Sequence, residues 1–308
     1  MLRIIVLGSA AGGGVPQWNC NCSTCRAARA TPSMHSGQVS LAVSADDGRH
    51  WFLINASPDL RQQVLSTPGL SPSPEHLRHS PIAGVILTNG EVDAVAGLLS
   101  MREGSPFTIH ANARVLDILA ANPIFNVLDS VKVKRLPMPL DAPFEPILPD
   151  GNGSGLEVKA FEVPGKVAWY LETDASIQRY TPGDTVGLTL RARAGGPAVH
   201  VLTACAGVTP GLAQRLHGAA LVFFDGTLWC DDEMIQAGLA QKTGQSMGHL
   251  SMSGHDGAIA QLAQLAIGRK VFVHINNSNP ALLPASPERR AVEAAGWIIP
   301  DVGQEFVT

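Results

Sequence analysis

The chain has 308 residues, 45% of them hydrophobic and 16% charged, which is enough apolar material for a sizeable core. A formal net charge of −4 supplies no basic field for nucleic acid or anionic lipid, and no apolar run approaches the roughly 20 residues that span a bilayer, so membrane insertion is set aside. Five cysteines, three of them between Cys20 and Cys25, point to a metal site in a reducing compartment, the cytoplasm, rather than to a disulfide framework.

From the N-terminus, Leu2-Arg3-Ile4-Ile5-Val6-Leu7 is cut short by Gly8 and the run Gly12-Gly13-Gly14, so residues 4–7 read as a buried strand and not as the apolar stretch of a secretory signal. Apolar β-rich runs continue the strand series at 39–43, 51–54 and 85–87, with helical patterns at 92–101 and 113–119. The Pro/Gly-rich tract 137–155 reads as a loop inside one domain of residues 1–308, although it resembles a boundary. Strand-like segments resume at 156–163, 167–171, 186–191 and 198–203. The last third alternates strands at 220–224, 271–275 and 297–299 with helices at 232–238, 257–265 and 287–295. Strands followed by helices in each half fit an α/β fold of two sheets packed face to face and covered by helices, better than one doubly wound parallel sheet.

Cys20-Asn21-Cys22-Ser23-Thr24-Cys25 follows the glycine-rich loop directly. Three thiolates in a tight turn can wrap one tetrahedral zinc at bond lengths of about 2.3 Å, and so closed a site is structural. Three ordinary buried cysteines are the bland alternative, and the flanking Gln17, Trp18, Asn19 and Arg26 do not make a core segment. Cys205 and Cys230 read as buried hydrophobes.

Val85-Ile86-Leu87-Thr88 is a buried strand whose carboxyl end carries Asn89, Glu91 and Asp93, where folds of this kind build sites. Asp225 and His274 stand at the ends of two later strands, and His249 sits between Gly248 and a helix. A lone histidine usually packs in the core; the strand-end position and three neighbouring asparagines favour a functional His274, while His249 is equally open to packing and to supporting a ligand. His35, His50, His76, His79, His110, His200, His217 and His255 read as surface or packing residues.

These segments resemble the metallo-β-lactamase superfamily. Its signature T-H-x-H-x-D-H-x-x-G is matched by Thr88, Asp93 and Gly97, with Asn89, Glu91 and Ala94 at the histidine positions. The resemblance makes Asp225 the metal-bridging aspartate and His274 the final histidine; the third histidine, expected near 163–166, is missing. Met247-Gly248-His249-Leu250-Ser251 is similar to the segment carrying an extra active-site histidine in the phosphodiesterase and tRNA-processing branches. Longer segments resemble the branch that serves biosynthesis of pyrroloquinoline quinone (PQQ): Gly8-Ser9-Ala10-Ala11-Gly12-Gly13-Gly14, Pro16-Gln17-Trp18-Asn19-Cys20, Asn55-Ala56-Ser57-Pro58-Asp59, Gly97-Leu98-Leu99-Ser100-Met101-Arg102-Glu103-Gly104, Asp225-Gly226-Thr227 and His274-Ile275-Asn276-Asn277.

The resemblance implies an αββα sandwich of two mixed sheets flanked by helices. It implies a structural zinc on Cys20, Cys22 and Cys25 with Asn277 as fourth ligand, and a separate active-site Fe2+ held by Asp93 and His274, with Glu91 and Asn89 able to complete the sphere and Asp225 and His249 as further catalytic residues. Ala94 removes a nitrogen donor from that site. The implied activity is iron- and O2-dependent hydroxylation of the tyrosine of the PQQ precursor peptide, with Lys166 and Arg102 read equally as partners of substrate carboxylates and as solvated surface charges. A non-catalytic carrier of PQQ or its precursor to the periplasm is the alternative, and a phosphodiesterase a third reading that the missing histidines oppose. The expected partners are a tyrosine-containing peptide or a PQQ intermediate; a homodimer is left open.

Overall fold

The computed structural model describes residues 1–172 and 182–308. Six strands of the N-terminal half, β1 (Arg3–Gly8), β2 (Ser40–Ser44), β3 (Trp51–Ile54), β4 (Ile82–Ile86), β5 (Phe107–Ala111) and β6 (Val133–Pro137), lie in one sheet. β7 (Pro143–Phe144), β8 (Leu156–Glu162), β9 (Val186–Ala192), β10 (Val199–Leu202), β11 (Leu221–Asp225), β12 (Arg269–Val273) and β13 (Trp297–Ile298) form the second. The final strand, β14 (Glu305–Val307), returns to the first sheet and pairs antiparallel with β1. Both sheets have the same grammar: antiparallel pairs along β14-β1-β2-β3 and β7-β8-β9-β10, then parallel pairs along β3-β4-β5-β6 and β10-β11-β12-β13.

The continuous apolar runs exist because each sheet is covered on both faces. Successive side chains of a strand point to opposite faces, so Ile4, Val6, Leu41, Val43, Phe52 and Ile54 enter the layer between the sheets, where they meet Leu221, Phe223, Val271 and Val273. Ile5, Leu7, Ala42, Trp51 and Leu53 face an outer layer of helices that includes Leu60, Leu98, Val115 and Leu119. Val222, Phe224 and Phe272 face the opposite outer layer, with Leu212, Leu262, Val292 and Trp297. These three apolar layers make an αββα sandwich. Helix ends are set locally: Asn112, Thr209 and Ser286 each accept a backbone N–H of the first turn of the helix they open.

Several elements depart from the sequence reading. Residues 167–171, expected as a strand, hold a single 3-10 turn at Trp169–Leu171 whose aromatic residues lie against a loop and not in a sheet. The helices expected at 232–238 and 257–265 shrink to Glu233–Gln236 and Ala258–Gln261. The tract 137–155 is not loop throughout, since it supplies β7. Strands β5, β6 and β14 and the helices Ser23–Ala30, Leu60–Leu65 and Pro210–Leu216 are additional. No helix among the described residues is long and apolar enough to cross a membrane.

Candidate functional site

The carboxyl ends of the parallel strands open into a cavity of about 560 Å3, the place where open parallel sheets present ligand sites. Asp225 ends β11 and is fully buried. His274 leaves β12 with a φ of 57°, a left-handed conformation rare for a residue with a side chain, and the next residue is pinned by Ile275 N–H to Ser9 O at 2.8 Å. Asp93 lies in the turn after β4, and Gly97 seats that turn: its N–H donates to Ala56 O at 2.8 Å, and a Cβ there would fall 2.1 Å from Ser57 O. Gly248 supplies a φ of 89° ahead of His249.

Four of the singled-out side chains meet at the cavity floor, which Asp93, His249 and His274 line with Asp225 buried beneath. His274 Nε2 lies 2.9 Å from Asp93 Oδ2, His249 Nδ1 lies 2.7 Å from Asp225 Oδ2, and the two imidazoles stack with centroids 4.9 Å apart. Thr227 joins the pairs: its hydroxyl is 2.7 Å from Asp225 Oδ1, 2.7 Å from His274 Nδ1 and 3.0 Å from His249 Nδ1. Asp225 also accepts the backbone N–H groups of Cys205 and Thr227. Burial opposes ionisation of Asp93, but the hydrogen bond and charge of His274 outweigh it and hold the carboxyl below the usual range. Burial likewise opposes protonation of His274, and Asp93 and Asp225 outweigh it, raising its pKa. One ligand atom from each of Asp225, His249 and His274 falls within 4.8 Å of the others. One carboxylate and two imidazoles gathered in this way are a donor set of intermediate hardness that fits Fe(II), Mn(II) or Zn(II), with Asp93 beside them on the Nε2 side of His274.

Asn89 and Glu91 reach the cavity wall but are engaged elsewhere. Asn89 Oδ1 accepts the Glu91 N–H at 3.0 Å, and Glu91 Oε1 accepts the Trp169 N–H at 2.9 Å. Burial, then the Asp93 charge, pushes the Glu91 carboxyl up. Ala94 packs in the outer apolar layer beneath the first sheet. Lys166, near the missing third histidine, lines the cavity; Arg102 is exposed beside Glu103 and does not, which removes it as a partner of a ligand in this cavity.

The cysteines form a second cluster, their sulfurs mutually within 4.8 Å. Asn277 Nδ2 sits 3.1 Å from Cys20 Sγ and 3.3 Å from Cys25 Sγ, at the fourth corner of the group; a rotation of the amide would present its oxygen instead. Burial raises the Cys22 thiol to about 11, whereas for Cys20 the Cys22 backbone N–H and adjacent side-chain donors overcome burial and lower it. Three soft sulfurs converging on one point fit zinc. Cys205 is buried as expected, with Sγ 3.2 Å from Gly207 O, and Cys230 is only partly so.

Sequence reasoning missed Thr227, Lys242 and the network of Asn55, Thr88 and Thr203. Asn55 Oδ1 accepts the Thr88 N–H at 2.9 Å and Thr88 Oγ1 lies 3.0 Å from Thr203 Oγ1, which ties the two sheets together beside the cavity. Hydroxyls carry no spacing signal of their own; only their position beside Asp225 or at a strand end hints at them.

Residues 50–275 match the family model of the β-lactamase superfamily domain. The chain is 65% identical to coenzyme PQQ synthesis protein B of Rhodopseudomonas palustris (strain BisB5) over 306 residues, covering 99% of each. It is 63% identical to the protein of the same name in Bradyrhizobium diazoefficiens, covering 100% of each. The crystal structure of Zn2+-bound PqqB from Methylobacterium extorquens superposes with a TM-score of 0.93 at 47% identity, covering 99% of this chain and 100% of that one. A diphosphatase of the PhnP family, at 18% identity and a TM-score of 0.69, shares the fold. With the sandwich, the strand-end site and full-length identity in agreement, the chain belongs to the coenzyme PQQ synthesis protein B family of the β-lactamase superfamily.

Proposed function

We propose that this chain acts in coenzyme PQQ synthesis as a metal- and O2-dependent hydroxylase of the tyrosine-derived ring of the precursor. The observation that carries the reading is the pairing of Asp93 with His274 and of Asp225 with His249 on the floor of a cavity large enough for a small aromatic ligand. When bound there, Fe(II) would supply the activation of O2. Asp93, Asp225 and His274 would hold the ion, His249 would complete or orient the set, and Thr227 would fix which imidazole nitrogen faces inward.

Cys20, Cys22, Cys25 and Asn277 would hold a structural zinc away from this chemistry. The test is anaerobic Fe(II) titration of wild type, Asp93→Asn and His274→Ala, followed by oxygen uptake with a tyrosine-containing precursor peptide. Wild type should bind iron and consume O2, and both variants should lose iron at least tenfold while keeping their zinc. Equal iron affinity in all three would remove the reading. One observation favours a second one: Ala94 and the locally engaged Asn89 leave few donors, as in a carrier that binds PQQ or its precursor without turning it over. Binding of PQQ by iron-free protein, with no oxygen uptake under any metal loading, would select it.

A further inference from the structure

At the mouth of the cavity, one carboxylate bridges two ammonium groups. Glu172 Oε2 lies 3.0 Å from Lys242 Nζ, and Glu172 Oε1 pairs with Lys166 Nζ. Both lysines line the cavity together with His249 and His274, and the stem of Lys166 rests against Gly248, the residue before His249. Glu172 closes the 3-10 turn Trp169–Leu171, which is laid over the opposite wall by Trp169 N–H to Glu91 Oε1 and by Tyr170 Oη donating to Gly90 O at 2.7 Å.

The chain thus brings its own carboxylate to a dibasic fork that opens on the site. As an ion pair alone the contact with Lys242, 45% exposed, would gain little, since it is screened and a long side chain must be ordered, while Glu172 and Lys166 are 11% and 23% exposed. Two ammonium groups each taking one oxygen of the same carboxylate is, however, the geometry by which a fork recognises any carboxylate. The metal-side carboxylates are satisfied by histidines, so Lys166 and Lys242 are the cations of the cavity left to meet an anionic ligand among the described residues.

We propose that Lys166 and Lys242 form a carboxylate-binding subsite of the cavity and that Glu172 is its internal occupant, displaced when a carboxylate of the ligand enters. The inference deepens the proposed function, since it assigns the substrate class as an aromatic compound that also carries a carboxylate within reach of the metal-side floor. Occupancy by Glu172 holds the apparent affinity for ligand carboxylates below the intrinsic one, in proportion to the fraction of empty fork. Exchange of one carboxylate for another leaves the fork's charge unchanged, two ammonium groups facing one carboxylate in both states.

The experiment uses glutarate as probe and glutaramide as its uncharged control, titrated calorimetrically into iron-free, zinc-containing full-length protein under nitrogen. Glu172→Gln keeps the shape and removes the competing charge, and should tighten glutarate by about tenfold, with glutaramide unaffected. In the Glu172→Gln background, adding Lys166→Gln or Lys242→Gln should return glutarate affinity to or below the wild-type value. A purely structural role predicts a lower melting temperature for Glu172→Gln with no gain in glutarate affinity, which would overturn the proposal. Should that variant not fold, Lys242→Gln alone decides: unchanged glutarate affinity overturns the subsite and weakened affinity supports it. Failure here and failure of the hydroxylase reading are distinguishable. Glutarate binding needs neither iron nor O2, so a fork that behaves as expected in a protein that never consumes oxygen leaves the subsite standing alone.

Discussion

At the scale of residues, the cavity floor depends on one hydroxyl. Thr227 Oγ1 touches Asp225, both imidazoles and the His274 carbonyl, yet it has a single proton to donate, so the assignment of that proton orders the network. The cysteine cluster is a separate test of residue chemistry: Cys22→Ala should lower zinc content and melting temperature together, measured by elemental analysis and calorimetry, because closed thiolate sites convert metal affinity into folding free energy. Unchanged zinc would refute the assignment. A third expectation concerns protons. Burial, with minor help from Arg215 and Arg191, lowers the pKa of His200 to about 4, well under the unperturbed 6.5. The unfolded chain therefore binds the extra proton first as pH falls, so this contribution is complete above about 6.5 and is lost towards 4, on the order of 3 kcal/mol in all. His110, lowered to about 4 by burial alone, adds in the same direction. Thermal midpoints between pH 7.5 and 4.5 should fall less steeply in His200→Gln than in wild type; identical slopes would contradict this.

At the scale of elements, the turn after β4 places Asp93, and it can do so only because the backbone passes close to the segment after β3. Gly97→Ala would drive a methyl into the Ser57 carbonyl and the Ala56 backbone, neither of which is the end of a flexible side chain. Relief requires the turn to lift, which costs on the order of 3 kcal/mol and moves Asp93 from His274. The expected result is a melting temperature several degrees lower together with weakened iron binding, while zinc is retained. A variant as stable as wild type with full iron affinity would show that the turn is not seated as described. The loop after β12 joins the two clusters, since His274 and Asn277 are three residues apart on it.

At the scale of the whole molecule, the central layer has no owner in either half. Val6, Val43 and Phe52 from one sheet bury against Phe223, Val271 and Val273 from the other, and β14 brings the C-terminus back to β1. We therefore expect residues 1–308 to behave as one folding unit: fragments divided within 137–155 should be insoluble or unfolded when expressed separately, because each would expose one full apolar sheet face. Two halves that melt cooperatively on their own, followed by calorimetry, would overturn the single-domain expectation.

Much of this was legible in the chain itself. Uninterrupted apolar runs such as residues 51–54 and 271–273 can be satisfied only by sheets covered on both faces, so the sandwich follows from local pattern. The grouping of Cys20, Cys22 and Cys25 is equally local, because six residues of turn suffice to gather three sulfurs. What periodicity does not encode is which distant polar groups meet. Segment 167–171 has a strand's composition, yet its aromatic residues are used to brace the loop 89–91, and β5 hides His110 and Thr108 in a buried strand because they bond each other. Thr227, Lys242 and Glu172 acquire their places only when β11, the 3-10 turn and the loop before His249 converge on one cavity. Local composition determined the layers and the zinc loop, whereas the cavity floor and its dibasic mouth were decided by tertiary structure, since their groups come from chain segments far apart and have no contact energy until the sheets are packed.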